Sequence, residues 1–276
     1  MATAELAGLS LHYEERGDGP PLLLIAGIPA LANDWASLAD GLAARGLRVI
    51  AYDNRGSGAS TVTPGPYSTR EMAGDAVALL DYLGVARADV FGMSMGGMIA
   101  QELALTAPER VRRLVLGCTH AGIAHAAAPP GAASRAFALQ TEDWALRMRT
   151  LAPFAFAEGV DPMLLREFTT KKSADVQDPG GYAAQIQAVL AHDTAERLHE
   201  IRAPTLVLTG DEDRIIPGES SRLLAKLIPD AALSVIAGTG HLFFLERPDM
   251  TLEILSEFLS SGGLRSRLDA QSERTV

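Results

Sequence analysis

The residues best suited to chemistry form one short run, Gly92-Met93-Ser94-Met95-Gly96, followed by Gly97. It falls between an apolar pair, Val90-Phe91, and a helical pattern over 95–106 that would bury Met98, Ile99 and Leu103. A serine held on a very sharp strand-to-helix turn needs residues without bulk two positions before and two after it, and its hydroxyl then projects above the sheet edge. A Gly-rich turn whose serine only caps the helix would use the same residue types. The strand–turn–helix setting favours a nucleophile.

A serine hydroxyl attacks poorly near neutral pH unless a base takes its proton. Of six histidines, His241 fits best, because Gly238-Thr239-Gly240-His241 follows the last strand-like run and so lies at the carboxyl edge of a sheet. His12 falls on the first strand and reads as surface, and His192 and His199 fall in helical segments and read as solvated. His120, just past the strand containing Cys118, could line the site without being its base. The loop Gly210-Asp211-Glu212-Asp213-Arg214 places three acids at a strand's carboxyl end, where one could hold the imidazole in a single tautomer. That acid must reach a histidine on the next strand's loop, which favours Asp213, beyond the turn, over Asp211 and Glu212. No spacing of histidine, cysteine and carboxylate reads as a metal site.

The elements that must position these residues alternate between strand and helix. Strand-like runs lie at 9–15, 22–26, 47–52, 90–91, 114–116, 205–208 and 233–236. The run at 47–52 (LRVIAY) is continuously apolar, as expected of a strand covered on both faces of a parallel sheet. A helix begins near Ser68, which has capping-box spacing to Glu71, and presents Met72, Ala76, Leu79, Leu80 and Leu83 on one face until Gly84. Further helices are predicted at 221–227 and 248–259. Between 121 and 201 the alternation stops, and the segment reads as helical with no clear strand. These patterns describe a doubly wound, mostly parallel α/β sheet with a helical insertion of ~80 residues.

Composition narrows the function. The 276 residues carry 34 Asp+Glu against 24 Lys+Arg, a net charge of −10, which argues against nucleic acid as a partner. Hydrophobic residues at 47 % and charged residues at 21 % suit a folded chain with a sizeable core. The single cysteine, Cys118, cannot form an internal disulfide. The longest apolar run, 20–32, is short of a membrane span and is broken by Gly27 and Pro29. No secretory signal is visible in the first residues, and the expected setting is cytoplasmic, away from membrane.

Over roughly residues 7–259 the sequence resembles α/β-hydrolase-fold enzymes. The resemblance rests on DNRGSGAS after the third strand, FGMSMGGMIAQELA at the serine, PERVRRLVLGCT behind it, PTLVLTGDEDRIIP, and GTGHLFFLERPD. The order Ser94, acid, His241 is that fold's order. Within the fold the chain is most similar to the bacterial branch of 3-oxoadipate enol-lactonases and polyketide methylesterases. The resemblance implies a core of residues 1–120 and 202–260, a cap domain at 121–201 inserted after the sixth strand, and a tail at 261–276. It agrees with Asp213 as the acid, with Ile216-Pro217 downstream. It also implies an oxyanion hole made by the backbone N–H groups of Ile28 and Met95, although Ala26-Gly27-Ile28-Pro29 lacks the histidine that usually opens that motif. Asp53, Arg55 and Gly56 match a further motif, and the acid and base are read as loop structure.

The expected activity is hydrolysis of a carboxylic ester or lactone, of a small to medium and largely apolar substrate, through an acyl-enzyme and without a cofactor. Hydrolysis of a carbon–carbon bond in a β-diketone or ring-cleavage product, and a catalytically silent ligand-binding member of the fold, are the alternatives. Cap aromatics and methionines (Phe137, Trp144, Met148, Phe154, Phe156, Met163, Phe168) are candidates to face the cleft; Trp144 and Phe154, with His120 and Leu242, are the expected pocket residues.

Overall fold

The computed structural model describes residues 2–137, 139, 141–175 and 177–260; the expected tail at 261–276 lies outside the described residues. Eight strands form one sheet: β1 (Ala2–Leu6), β2 (Leu9–Arg16), β3 (Pro21–Ile25), β4 (Arg48–Tyr52), β5 (Ala88–Met93), β6 (Val111–Gly117), β7 (Thr205–Gly210) and β8 (Ala231–Ile236). Their order across the sheet is β1-β2-β4-β3-β5-β6-β7-β8. The pairs β1–β2 and β2–β4 are antiparallel, and every other pair is parallel.

Strand periodicity divides the core into two layers. Leu23 and Ile25 of β3, with Leu114 and Leu116 of β6, point to one face and pack with α2 (Thr69–Tyr82) and α3 (Met95–Thr106). Leu22 and Leu24, with Val115, point to the other and pack with α1 (Ala36–Ala43) and α10 (Pro248–Ser260). Successive side chains of a strand alternate between faces, so a strand covered by helices on both sides must be apolar throughout. All six residues of β5 and all six of β7 are buried.

The expected α/β architecture holds, with added elements and shifted boundaries. β1 is an edge strand of mixed polarity (ATAEL) that only its pairing with β2 makes visible. β8 starts two residues earlier than its apolar run, and α8 (Gly218–Leu227) three residues before 221. The four-residue helix α9 (Phe243–Glu246) follows directly on His241-Leu242. At α2, Ser68 caps as expected, its Oγ accepting from the Glu71 N–H at 3.1 Å. The Glu71 carboxylate pairs instead with Arg55.

Between β6 and β7 lie α4 (Gly131–Phe137), α5 (Trp144–Leu151), α6 (Pro162–Ala174) and α7 (Pro179–Ala191). Among the described residues this insertion has no strand, only an isolated bridge between Gly122 and Asp193. It rests on the loops at the carboxyl ends of the parallel strands. Leu242 donates to the Ala155 carbonyl at 2.9 Å, Lys172 reaches the Pro29 carbonyl at 3.3 Å, and Gln185 reaches the Arg55 carbonyl at 2.8 Å.

Candidate active site

Ser94 sits between the end of β5 and the start of α3 with φ 56° and ψ −122°, a left-handed conformation that L residues adopt at a cost of about 1–3 kcal/mol. Its N–H is fixed by the Gly117 carbonyl at 2.8 Å, and its carbonyl accepts the Gly97 N–H at 2.9 Å. The flanking glycines are steric requirements. A Cβ on Gly92 would come within 2.1 Å of the Gly96 carbonyl oxygen, and one on Gly96 within 2.0 Å of the Ile25 carbonyl oxygen. These hydrogen bonds and close approaches hold the strained serine half-buried at the sheet edge, at the amino end of a helix.

The loop after β3 is pressed against this turn. A Cβ added to Gly27 would lie 2.8 Å from the Ser94 Cβ and 3.4 Å from its Oγ. Ile28 is the next residue, and Met95 is the first of α3. The first N–H groups of a helix have no acceptor within it, so the Met95 N–H, next to Ser94, has none in α3.

His241 and Asp213 meet as the chain order suggested. Nδ1 of His241 lies 2.8 Å from Oδ2 of Asp213, and both residues are buried. The other carboxylate oxygen, Oδ1, accepts the N–H groups of Ile215 at 2.8 Å and Ile216 at 2.9 Å. Asp213 is thus fixed in orientation and offers one oxygen to the imidazole. Asp211 does different work: its Oδ1 accepts from Gly238 at 2.7 Å and Thr239 at 3.3 Å, holding the loop that carries His241. Glu212 is half-buried and turns to the insertion, where it accepts the Glu158 N–H at 2.9 Å.

Two groups that sequence reasoning missed support the pair. Glu246, on α9, accepts from Gly240 at 2.7 Å and from Ala157 at 3.0 Å, so one carboxylate ties the histidine loop to the insertion. Burial raises its pKa, against the pull of those two N–H groups. Cys118 has φ 44° and is fully buried, and its thiol lies beside Asp213. Burial first, then the Asp213 charge, push that thiol well above its ordinary pKa and keep it protonated. Cys118, Asp213 and His241 hold their ligand atoms within 4.8 Å of one another. A cation there would have to displace the Asp213–His241 bond and deprotonate this thiol.

The other histidines are placed less simply. His120 is buried with its Nδ1 accepting the Gly122 N–H at 3.0 Å, and burial pushes its pKa down to about 4. His192, expected in solvent, is buried: Nδ1 is 2.9 Å from the Thr69 hydroxyl, Nε2 3.3 Å from that of Thr194, and the two imidazoles are 6.3 Å apart. Burial, then the neighbouring His120, lower its pKa to about 3. The correction has a tertiary cause, since α7 ends against α2, 123 residues earlier in the chain. His199 is exposed, as expected, and His12 is half-buried on β2. Asp53 and Arg55 serve the loops: Asp53 accepts from Ala32 at 2.7 Å and Ala59 at 3.0 Å, and Arg55 pairs with Asp75 at 2.5 Å.

Of the expected pocket residues, Trp144 donates to the Lys172 carbonyl at 2.8 Å and meets Tyr182 edge-on, and Phe154 lies under the Arg214 guanidinium. Both are half-buried, as is Leu242. Phe156 is fully buried against Phe168, whereas Met163 is exposed to solvent. The side chain of Phe137 lies outside the described residues.

A strained serine at a strand–helix elbow, a histidine after the last strand and an acid after the one before it describe the α/β-hydrolase arrangement. The chain belongs to the alpha/beta hydrolase fold family, which matches residues 20–248. It is 36 % identical over 268 residues to a protein of Azorhizobium caulinodans provisionally named carbamate hydrolase RutD, covering 94 % of this chain and 98 % of that one. It is 34 % identical to the poly(3-hydroxyalkanoate) depolymerase of Ectopseudomonas oleovorans, covering 93 % and 91 %. Among solved structures it is similar to the enol-lactonase from Burkholderia xenovorans LB400, with a TM-score of 0.84, 28 % identity, and coverage of 94 % of this chain and all of that one. Among the described residues no helix is long and apolar enough to cross a membrane.

Proposed function

We propose that this protein hydrolyses a carboxylic ester or lactone through an acyl-enzyme on Ser94. The observation that carries this reading is the buried Asp213–His241 bond, on the same sheet edge as a strained serine whose neighbouring turn offers backbone donors. Asp213 keeps a proton on Nδ1, leaving Nε2 as the base that takes the Ser94 proton. Oγ attacks the carbonyl, and the oxyanion is held by the N–H groups of Ile28 and Met95. The leaving oxygen departs with the proton from His241, and water repeats the sequence to release the acid. Residues 121–201 act as a cap, since they contact the loops around all three groups, and half-buried apolar residues such as Phe154 and Leu242 are suited to an apolar acyl group.

The name of the depolymerase and that of the enol-lactonase point to ester and lactone bonds in those proteins, and support the same bond class here. A substrate panel tests the reading: p-nitrophenyl acyl esters of rising chain length, an aliphatic lactone, an N-alkyl carbamate and a β-diketone. The expected result is turnover of esters or lactones. Turnover of the carbamate or the β-diketone alone would overturn it.

A further inference from the structure

The loop that would present the Ile28 N–H has no polar side chain of its own. Ala26-Gly27-Ile28-Pro29-Ala30-Leu31 is apolar throughout, so polar restraint must come from elsewhere. Three of the restraints belong to the core. Asn54 donates to the Ala26 carbonyl at 2.9 Å, Asp34 accepts the Leu31 N–H at 2.7 Å, and Asp53 accepts the Ala32 N–H at 2.7 Å. The fourth comes from the insertion. Lys172, on α6, is 1 % exposed, and its ammonium reaches the Pro29 carbonyl at 3.3 Å, Asp34 at 2.6 Å and Asp175 at 2.5 Å.

An ammonium has three donors, and these contacts use all of them. Burying a lysine this completely is costly unless it is paired and hydrogen-bonded. The pairing also acts on Asp34: burial would raise its carboxyl, but Lys172 and Lys171 outweigh it and hold the group below its usual range. A charge-compensated lysine from one unit has therefore been driven into the loop of another, one residue from Ile28. A lysine serving only to pack α6 would have no need to reach that carbonyl.

We infer that Lys172 is a positioning residue for the oxyanion loop, gripping the Pro29 carbonyl so that docking of the helical insertion sets the aim of the Ile28 N–H. The inference rests on the reading of Ser94 as nucleophile and Ile28 as oxyanion donor. Removing the ammonium should loosen the donor without removing it, so substrate still binds while the tetrahedral oxyanion is held less well.

The test compares wild type, the pair Lys172→Met with Asp175→Asn, and Lys172→Arg. The pair removes one positive and one negative charge and leaves Asp34 with Lys171, so it avoids stranding a buried carboxylate. Active sites are titrated with a fluorophosphonate, and kcat per titrated site and KM are measured on a p-nitrophenyl ester. Affinity is also measured for an aryl trifluoromethyl ketone: Oγ of Ser94 adds to its carbonyl, the proton passes to His241, and the former carbonyl oxygen becomes the anion in the hole. Deleting a donor outright costs roughly 10²–10³ in kcat, so loosening one should cost about tenfold or more with KM within about threefold. Ketone affinity should fall in step with kcat, because both read the oxyanion, and Lys172→Arg should recover part of each. A purely structural role would lower thermal stability and the titratable fraction but leave these per-site values alone. Per-site kcat within about twofold of wild type overturns the inference. So does a loss of kcat without loss of ketone affinity, or a failure of both variants to fold. A wild-type protein that is not titrated at Ser94 overturns the function itself and this inference with it.

Discussion

Asp213 gives one carboxylate oxygen to Nδ1 of His241 at 2.8 Å and has the other occupied by the Ile215 and Ile216 N–H groups. Asp213→Asn keeps the shape, but an amide turned to donate to the imidazole favours the wrong tautomer. By analogy with serine proteases the cost is about 10⁴ in kcat. Asp211→Asn still leaves an oxygen to accept from Gly238 and should cost less than about tenfold. Kinetics of the two variants side by side decide the matter, and a dead Asp211→Asn with a live Asp213→Asn would reverse the assignment.

Three adjacent acids and a topological preference for Asp213 over Asp211 were legible in the sequence, but the hydrogen-bond partners of each carboxylate were not. What separates them is where each carboxylate finds N–H donors, and that depends on how the loops after β7 and β8 pack. The doubly wound sheet was legible because strands such as β3 and β4, covered on both faces, must be apolar without interruption. β1 was missed, and the first two residues of β8 with it, because an edge strand need bury little. His192, Lys172 and Glu246 escaped for one shared reason. Each is a polar residue buried by partners far away in the chain, and no local pattern announces that.

The oxyanion loop can be tested by its backbone. Ile28→Ala keeps the N–H and should lower the rate only modestly. Ile28→Pro deletes the donor and should cost ~3 kcal/mol of transition-state stabilisation or more, read from kcat/KM. Equal rates for the two variants would mean that another donor fills the hole.

The buried histidine pair predicts acid sensitivity. The pKa of His120 is pushed down to about 4 and that of His192 to about 3, by burial in each case. Below the ordinary histidine pKa of 6.5 the unfolded chain takes up protons that these folded groups refuse, so stability is full above that pH and is lost as pH falls. Each histidine contributes a slope of up to about 1.4 kcal/mol per pH unit between that point and its folded pKa. Asp193 opposes the shift at His192 and Arg197 adds to it. Urea unfolding between pH 7 and pH 5 should show the decline, and His192→Gln should flatten it by about half. A profile as steep in the variant as in the wild type would assign the acid sensitivity to other groups.

In the proposed reaction the Ser94 hydroxyl forms a covalent bond to the substrate's acyl carbon. Incubating the protein with a fluorophosphonate, followed by peptide mass spectrometry, tests this directly, since the hydroxyl displaces fluoride and keeps the phosphonyl group. One adduct is expected, on the peptide carrying Ser94. Ser94→Ala, which fits the elbow without a hydroxyl, should stay folded, take up no label and fall below about a tenth of wild-type esterase activity. Labelling at another residue, or a folded Ser94→Ala that keeps its activity, would contradict the proposed reaction.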